Sequence, residues 1–548
     1  MYLDEATSQG GRYKRYLLRE SYRENGKVRH RTIANLNRCS KNEIEAIRLA
    51  LKHKENLSKL LAATECVSLK QGSSIGGVWL IYDMARQLGI ADALGKSQQG
   101  KLALWQIIAR VMDQGSRLSA VRLASSHAAC DILGVDAFDE DDLYENLDWL
   151  TQNQSRIENR LFAKLHPDSK PGLFLYDVTS SYLEGQCNEL GAFGYNRDGK
   201  KGKKQIVIGL LCDEKGRPLS VEVFDGNTAD TTTFGSQVKK VADRFGGGEI
   251  TLVGDRGMIR NKQMTDLPEG FHYITAITKP QIESLLKQDV IQMSLFDEEV
   301  TEVETQEGIR YVLRRNPQRE YEVDKSRQSK LAKLRQKAHK ANQYLQEHSR
   351  ARVDVAARRI ALLCKRLKLS EWVSVVAAER QVEIVTDQDI LEEVSKLDGC
   401  YVLQTDLSQT AADKETVHAR YKDLALVEWA FRTSKTVELE LRPIHVRKAT
   451  RTRAHVFVVM LGYRIVQELA RRWSGIDLTV EEGIKQAGQL CATELLVNGK
   501  ARCNRIPEPR ESVKNLFDAA KVILPEVLPC RGIRVATRKK LPKHRLIR

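Results

Sequence analysis

The chain has 548 residues, 42% of them hydrophobic and 29% charged, and a formal net charge of +16. Such a composition excludes global disorder and suits a soluble protein of about three or four domains, while the positive excess calls for a polyanionic partner, of which nucleic acid is the natural one. The ten cysteines form no C-x-x-C pair, which excludes a zinc module or disulfide framework. No membrane role is indicated either, because the longest apolar run, Val456 to Leu461, is far too short to span a bilayer and the N-terminus carries no apolar signal region. The scattered cysteines read as reduced thiols, and a cytoplasmic protein is expected.

Residues 12–33 read as a basic β-hairpin turning at Asn25-Gly26, with arginine, lysine and tyrosine interleaved as phosphate contacts and stacking require. A solvated hairpin face fits the same residues. Helical patterns follow over 41–63 and from Gly76 to about His166, where Leu102, Leu104, Ile107 and Val111 have the spacing of a core-facing stripe. We take 1–165 as an N-terminal DNA-binding region, hairpin first and helices after.

The stretch from Gly172 to Ser180 is an apolar, β-prone run with one carboxylate, Asp177, planted in it. A glycine- and lysine-rich loop, 191–204, comes next and ends on Lys203 and Lys204. Strands at 205–213 and 219–224 form a hairpin. A helix near 232–245 leads to a strand that ends on Asp255 and a glycine turn, and a helix near 259–266 leads to a strand at 271–277. The order β, β, β, α, β, α, β predicts a mixed sheet flanked by helices, the first part of an α/β domain over 166–280.

Residues 281–400 read as an α+β insertion domain: an acidic patch at 297–299, a hairpin around 303–315, a long charged helix and two further strands at 373–377 and 382–385. In the helix, Leu331, Leu334, Ala338, Ala341 and Leu345 form a seam that suits packing on another helix or on a second subunit. Trp372 suits either a core position or stacking on a flipped base. The second part of the main domain, 401–475, begins with a strand at 401–403 that returns to the main sheet. A single helix follows from Ala411 to Lys435, with Tyr421, Leu424, Glu428, Arg432 and Lys435 on one face. The apolar helix 455–472 backs the core, and His455 and Arg453 belong to that supporting layer. The C-terminal region, 476–548, ends in 18 residues with eight Lys/Arg and no acid, suited to DNA phosphates or to solvent.

Asp177, Asp255 and Glu428 are therefore the candidate carboxylates. Two strand acids and one helix acid can hold two Mg²⁺ ions, with Mn²⁺ as substitute, and so support in-line phosphoryl transfer. The boxes LYDVTSSYLEG (175–185) and VGDRGM (253–258), the run 442–461 and the helix 421–435 resemble the DDE transposases of bacterial insertion sequences, in the insertion-sequence-four-like branch marked Y-x2-R-x3-E-x6-K. Tyr421, Glu428 and Lys435 match that signature, whereas Leu424 stands at its arginine position and Arg432 lies nearby as a substitute. The resemblance implies a ribonuclease H-like fold with Asp177, Asp255 and Glu428 as metal ligands. Tyr421, Arg432, Lys435, Lys203 and Lys204 are then the DNA-contacting residues. It also implies cleavage at transposon ends and strand transfer into target DNA, with double-stranded DNA (terminal inverted repeats and target) as partner and a homodimer in the synaptic complex. Two alternatives stay open: a nuclease of the same fold that does not join, and a catalytically silent DNA-binding regulator. A tyrosine recombinase is disfavoured by the lack of an H-x-x-R pair before a suitable tyrosine.

Overall fold

A computed structural model describes residues 1–7, 14–55, 67–436, 439–442, 444–497, 500–529, 531–538 and 540. The chain forms two compact units. One comprises 1–83, 121–139 and 472–548, and the other 84–120 and 140–471.

In the first unit, Tyr2–Thr7, Lys14–Glu24 and Lys27–Asn35 make a three-stranded antiparallel sheet. Its second turn falls on Asn25-Gly26, both at positive φ, which Asn and Gly adopt at least cost. Residues 12 and 13 of the expected hairpin lie outside the described residues. The helix Lys41–Lys52 starts on a capping box in which Ser40 accepts from the Glu43 N–H and Glu43 accepts from the Ser40 N–H. Residues 56–63 of the longer helix expected there lie outside the described residues, as do residues 539 and 541–548 of the basic tail. A second sheet runs in the order Val527–Leu528, Lys500–Arg505, Cys491–Val497, Val67–Ser74, and Ile75, Ala128, Leu490 and Ala492 are buried beside it.

The second unit is built on one mixed sheet of eight strands: β1 (Leu173–Tyr182), β2 (Gln205–Asp213), β3 (Pro218–Asp225), β4 (Ile250–Gly254), β5 (Phe271–Ala276), β6 (Thr301–Glu304), β7 (Arg310–Arg315) and β8 (Cys400–Thr405). Across the sheet they lie β6-β7-β8-β5-β4-β1-β2-β3. Only β1–β4 and β4–β5 pair in parallel. Strands β4 and β5 are joined through a short helix, and β1 reaches β4 through the β2–β3 hairpin and the helix Asp230–Lys240; parallel neighbours need such a crossover. Strand β1 follows the period-2 rule. Phe174, Tyr176 and Val178 share a core with Phe234, Val238 and Phe245, each buried side chain contributing about 1.5–3 kcal/mol, so Leu175, Asp177 and Thr179 take the opposite face.

Two features depart from the expected layout. The hairpin β6–β7 extends the main sheet through β8 rather than standing apart from it. Arg310, fully buried, fastens it there by donating to the carbonyls of Leu407 and Ala412, each at 2.8 Å, and by pairing with Glu302. The interrupting body is thus the helices Pro317–Glu347 and Val353–Arg366 with the hairpin Val373–Ala378 and Gln381–Thr386. Leu334, Ala338 and Leu345 pack inside it with Ile360, Val382 and Trp372, and Trp372 is only 4% exposed. The seam is used within the chain and the tryptophan is core. Secondly, the helix expected over 411–435 is divided at Asp423 into Lys414–Lys422 and Leu424–Lys435.

Candidate active site

The register of the parallel pair brings the first two acids together. Tyr176 on β1 lies opposite Gly254 on β4, so the next residues, Asp177 and Asp255, emerge side by side where β4 ends. At that point the chain turns, with the Met258 N–H bonding to the Asp255 carbonyl at 2.9 Å. The helix Leu424–Lys435 packs on the β1 face that carries Asp177 and Thr179. Its apolar residues Leu424, Val427, Ala430 and Phe431 are buried, and Glu428 is exposed toward the acids. Two adjoining hollows, of about 530 and 250 Å³, share Asp177, Asp255 and Glu428 in their walls. Tyr421, Leu424 and Arg256 line the larger, and Arg197 and Asp230, paired at 2.6 Å, line the smaller.

Burial pushes the Asp177 carboxyl up to about 7; the Val178 N–H, at 2.7 Å, opposes this, and the nearby charges of Asp255 and Glu428 add to it. The Tyr421 hydroxyl, raised by burial and by Asp255, donates to Asp255 Oδ1 at 3.4 Å. A buried carboxyl with two further carboxylates beside it has the donor chemistry for a hard cation. Their spacing is open: among the described residues no three His, Cys, Asp or Glu side chains converge closely enough to make a finished metal centre.

Two family models match the chain. The one described as transposase DDE domain covers residues 168–465, more than half of it, and the one described as IS1634 family transposase, N-terminal domain, covers residues 5–64. The chain belongs to the DDE transposases of insertion sequences. No curated protein matches it. The solved structure titled "Cryo-EM structure of piggyBac transposase synaptic complex with hairpin DNA (SNHP)" is similar over 71% of this chain and 69% of that one, at 9% identity and a TM-score of 0.34. A likeness that distant places no residue. No helix among the described residues of this transposase is long and apolar enough to cross a membrane.

Of the eight residues singled out in the sequence, Asp177, Asp255, Glu428 and Tyr421 line the same hollow. Lys435 is on the sheet side of its helix. It is buried, with Nζ 2.6 Å from Thr179 Oγ1 and 3.1 Å from Asp198 Oδ1, so protein groups take up the charge that was expected to meet DNA. Burial lowers its pKa and Asp198 pulls the other way. Arg432 is exposed, its guanidinium 5.7 Å from the centre of the Trp429 ring, and does not line the hollow. Lys203 pairs with Glu184 at 2.8 Å and Lys204 donates to the Gln186 carbonyl at 3.2 Å; neither reaches the acids.

The residue that sequence reasoning missed is Asp198. Its side chain is 3% exposed and accepts from Lys435, from Arg442 at 2.6 Å and from the Tyr182 N–H at 3.1 Å. It thereby ties the glycine-rich loop, the end of β1 and the Glu428 helix together. The one local signal for it is an arginine–aspartate pair, Arg197-Asp198, immediately before a glycine at positive φ.

Proposed function

We propose that the second unit is a ribonuclease H-like catalytic domain in which Asp177, Asp255 and Glu428 bind divalent cations, Mg²⁺ or Mn²⁺, and that this transposase cuts at the ends of its element and joins the freed 3′-hydroxyl to target DNA. The observation that carries this reading is the meeting of two carboxylates from neighbouring parallel strands with a third from a packed helix, in one hollow, in a chain of the DDE family. When bound, a pair of such ions supplies charge neutralisation and a lowered pKa for the attacking water or hydroxyl. The chain's own groups hold the geometry. Asp177 and Asp255 are set by the sheet ladder, which leaves little freedom to the Cα positions. Tyr421 orients Asp255 through its hydroxyl. Lys435 and Asp198 fix the helix that presents Glu428. No protein nucleophile is required, because water and the DNA 3′-hydroxyl both attack phosphorus directly.

Two copies are proposed to act together, since two transposon ends are processed in one event. Joining separates this reading from a nuclease of the same fold. Given a pre-cut end with a free 3′-hydroxyl, a supercoiled plasmid and Mg²⁺, the wild type is expected to give end–plasmid joint products, and the Asp255→Asn protein none. Nicked plasmid without joint product would leave the nuclease reading in its place.

A further inference from the structure

Beside the acid-lined hollow lies another of about 450 Å³, reached past Arg256, Ala276 and Ile277, which wall both. Three cations, Arg256, Arg260 and Lys262, stand on its rim, and none has a carboxylate partner among the described residues. Thr275 lines the same space at the end of β5; it is fully buried, and its Oγ1 has no hydrogen-bond partner among the described residues. A buried hydroxyl left without a partner costs about 1–3 kcal/mol unless something fills the space. Solvated surface cations do not by themselves explain a buried hydroxyl left unpaired between them.

We propose that Arg256, Arg260, Lys262 and the Thr275 hydroxyl form a seat for one phosphate of the nucleic-acid strand that crosses Asp177, Asp255 and Glu428. A strand lying over the acids carries a phosphate about every 3.4 Å of axis, so a phosphate neighbouring the scissile one falls within reach of the adjoining hollow. Arg256 follows Asp255 directly in the turn. The seat is therefore fixed to a proposed metal ligand, and a phosphate held there sets the register of the strand over the site. Arginine forks and a hydroxyl donor match phosphate oxygens. The site rests on the catalytic reading above for its place beside the scissile bond, but its test reads binding and needs no cleavage.

The test measures binding of the full-length protein to a duplex carrying the element's end, in EDTA over a range of salt, with the Arg260→Ala/Lys262→Ala protein beside wild type. Both side chains are exposed, so the variant is expected to fold. Loss of one phosphate contact should lower the slope of log K against log salt by about one. A series of duplexes with single methylphosphonates then locates the contact. One position should weaken wild-type binding about tenfold and have no further effect in the variant, which is the non-additivity of groups in contact. An internal position that behaves so identifies an uncut strand in the seat. The same pattern on removal of a 5′-phosphate identifies a cleaved end. An unchanged slope, or penalties that multiply at every position, overturns the seat. If the shared position is found but no protein cleaves, the seat stands and the catalytic reading falls.

Discussion

Replacing Asp177 with asparagine is expected to abolish cleavage and, in buffer free of divalent ions, to make the protein more stable. Loss of one of three carboxylates around the reacting phosphate should lower the rate at least about a thousandfold. The stability gain follows from the raised Asp177 pKa, about 7 against an ordinary 3.8. Between those values the folded chain keeps a proton that the unfolded chain releases. The group's contribution to stability is thus fully present below about pH 4 and is lost as pH rises through about 7. Asparagine removes that slope. Since Asp177 is only partly buried, solvent screens the effect and about 1–2 kcal/mol is expected. Melting curves at about pH 4.5 and about pH 8 decide the matter. The two proteins should nearly coincide at the lower pH and separate by a few degrees at the higher. A variant that melts lower at the higher pH would contradict the cost that burial, and then the neighbouring carboxylates, place on the charged Asp177. Function is expected to cost stability at this site, as is common where charges are gathered for chemistry.

The second large effect is expected from Asp198→Ala, at a residue that lines neither hollow. Removing it leaves the Lys435 ammonium, 9% exposed, beside the Arg442 guanidinium with no counter-charge between them. Breaking a buried pair on one side costs about 3–5 kcal/mol. The same loss loosens the join between β1 and the Glu428 helix, since Lys435 also holds Thr179, two residues beyond Asp177. A misplacement of about 1 Å there should reduce cleavage roughly a hundredfold. Asp198→Asn combined with Lys435→Met removes the buried ammonium together with its counter-charge, leaving only the more exposed Arg442, and should recover much of the stability lost in Asp198→Ala, because the groups act as a unit. If Asp198→Ala melts and cuts like wild type, the network has no positioning role.

What could be read from the sequence was local. The run 172–180 has the composition and length of a strand, and β1 is found at Leu173–Tyr182; the strand ending at Asp255 and the turn at Asn25-Gly26 were equally plain. Adjacency of the first two acids was not local, because a hairpin and a helix separate β1 from β4 in the chain and only the sheet order makes them neighbours. Nothing local could show which side of its helix Lys435 would turn. The common face of Tyr421, Glu428 and Lys435 assumed an unbroken helix, whereas the chain is divided at Asp423. Asp198 was invisible for the same reason, as its cationic partners lie far along the chain at Lys435 and Arg442. The hairpin β6–β7 read as a separate element because its pairing to β8 spans the whole interrupting body. Thr275 and the cations beyond Arg256 carry no motif at all, and only the shape of the hollow groups them.

The measurement closest to the central claim is Mg²⁺-dependent cleavage of a labelled duplex bearing the element's own end, with wild type and Glu428→Gln side by side and binding measured for both. Cleavage by the wild type alone, at equal DNA affinity, is the result expected of a carboxylate that serves phosphoryl transfer. Equal cleavage by the two proteins would remove Glu428 from the chemistry. Binding without cleavage by either, in Mg²⁺ and in Mn²⁺, would make this chain a silent DNA-binding member of its family.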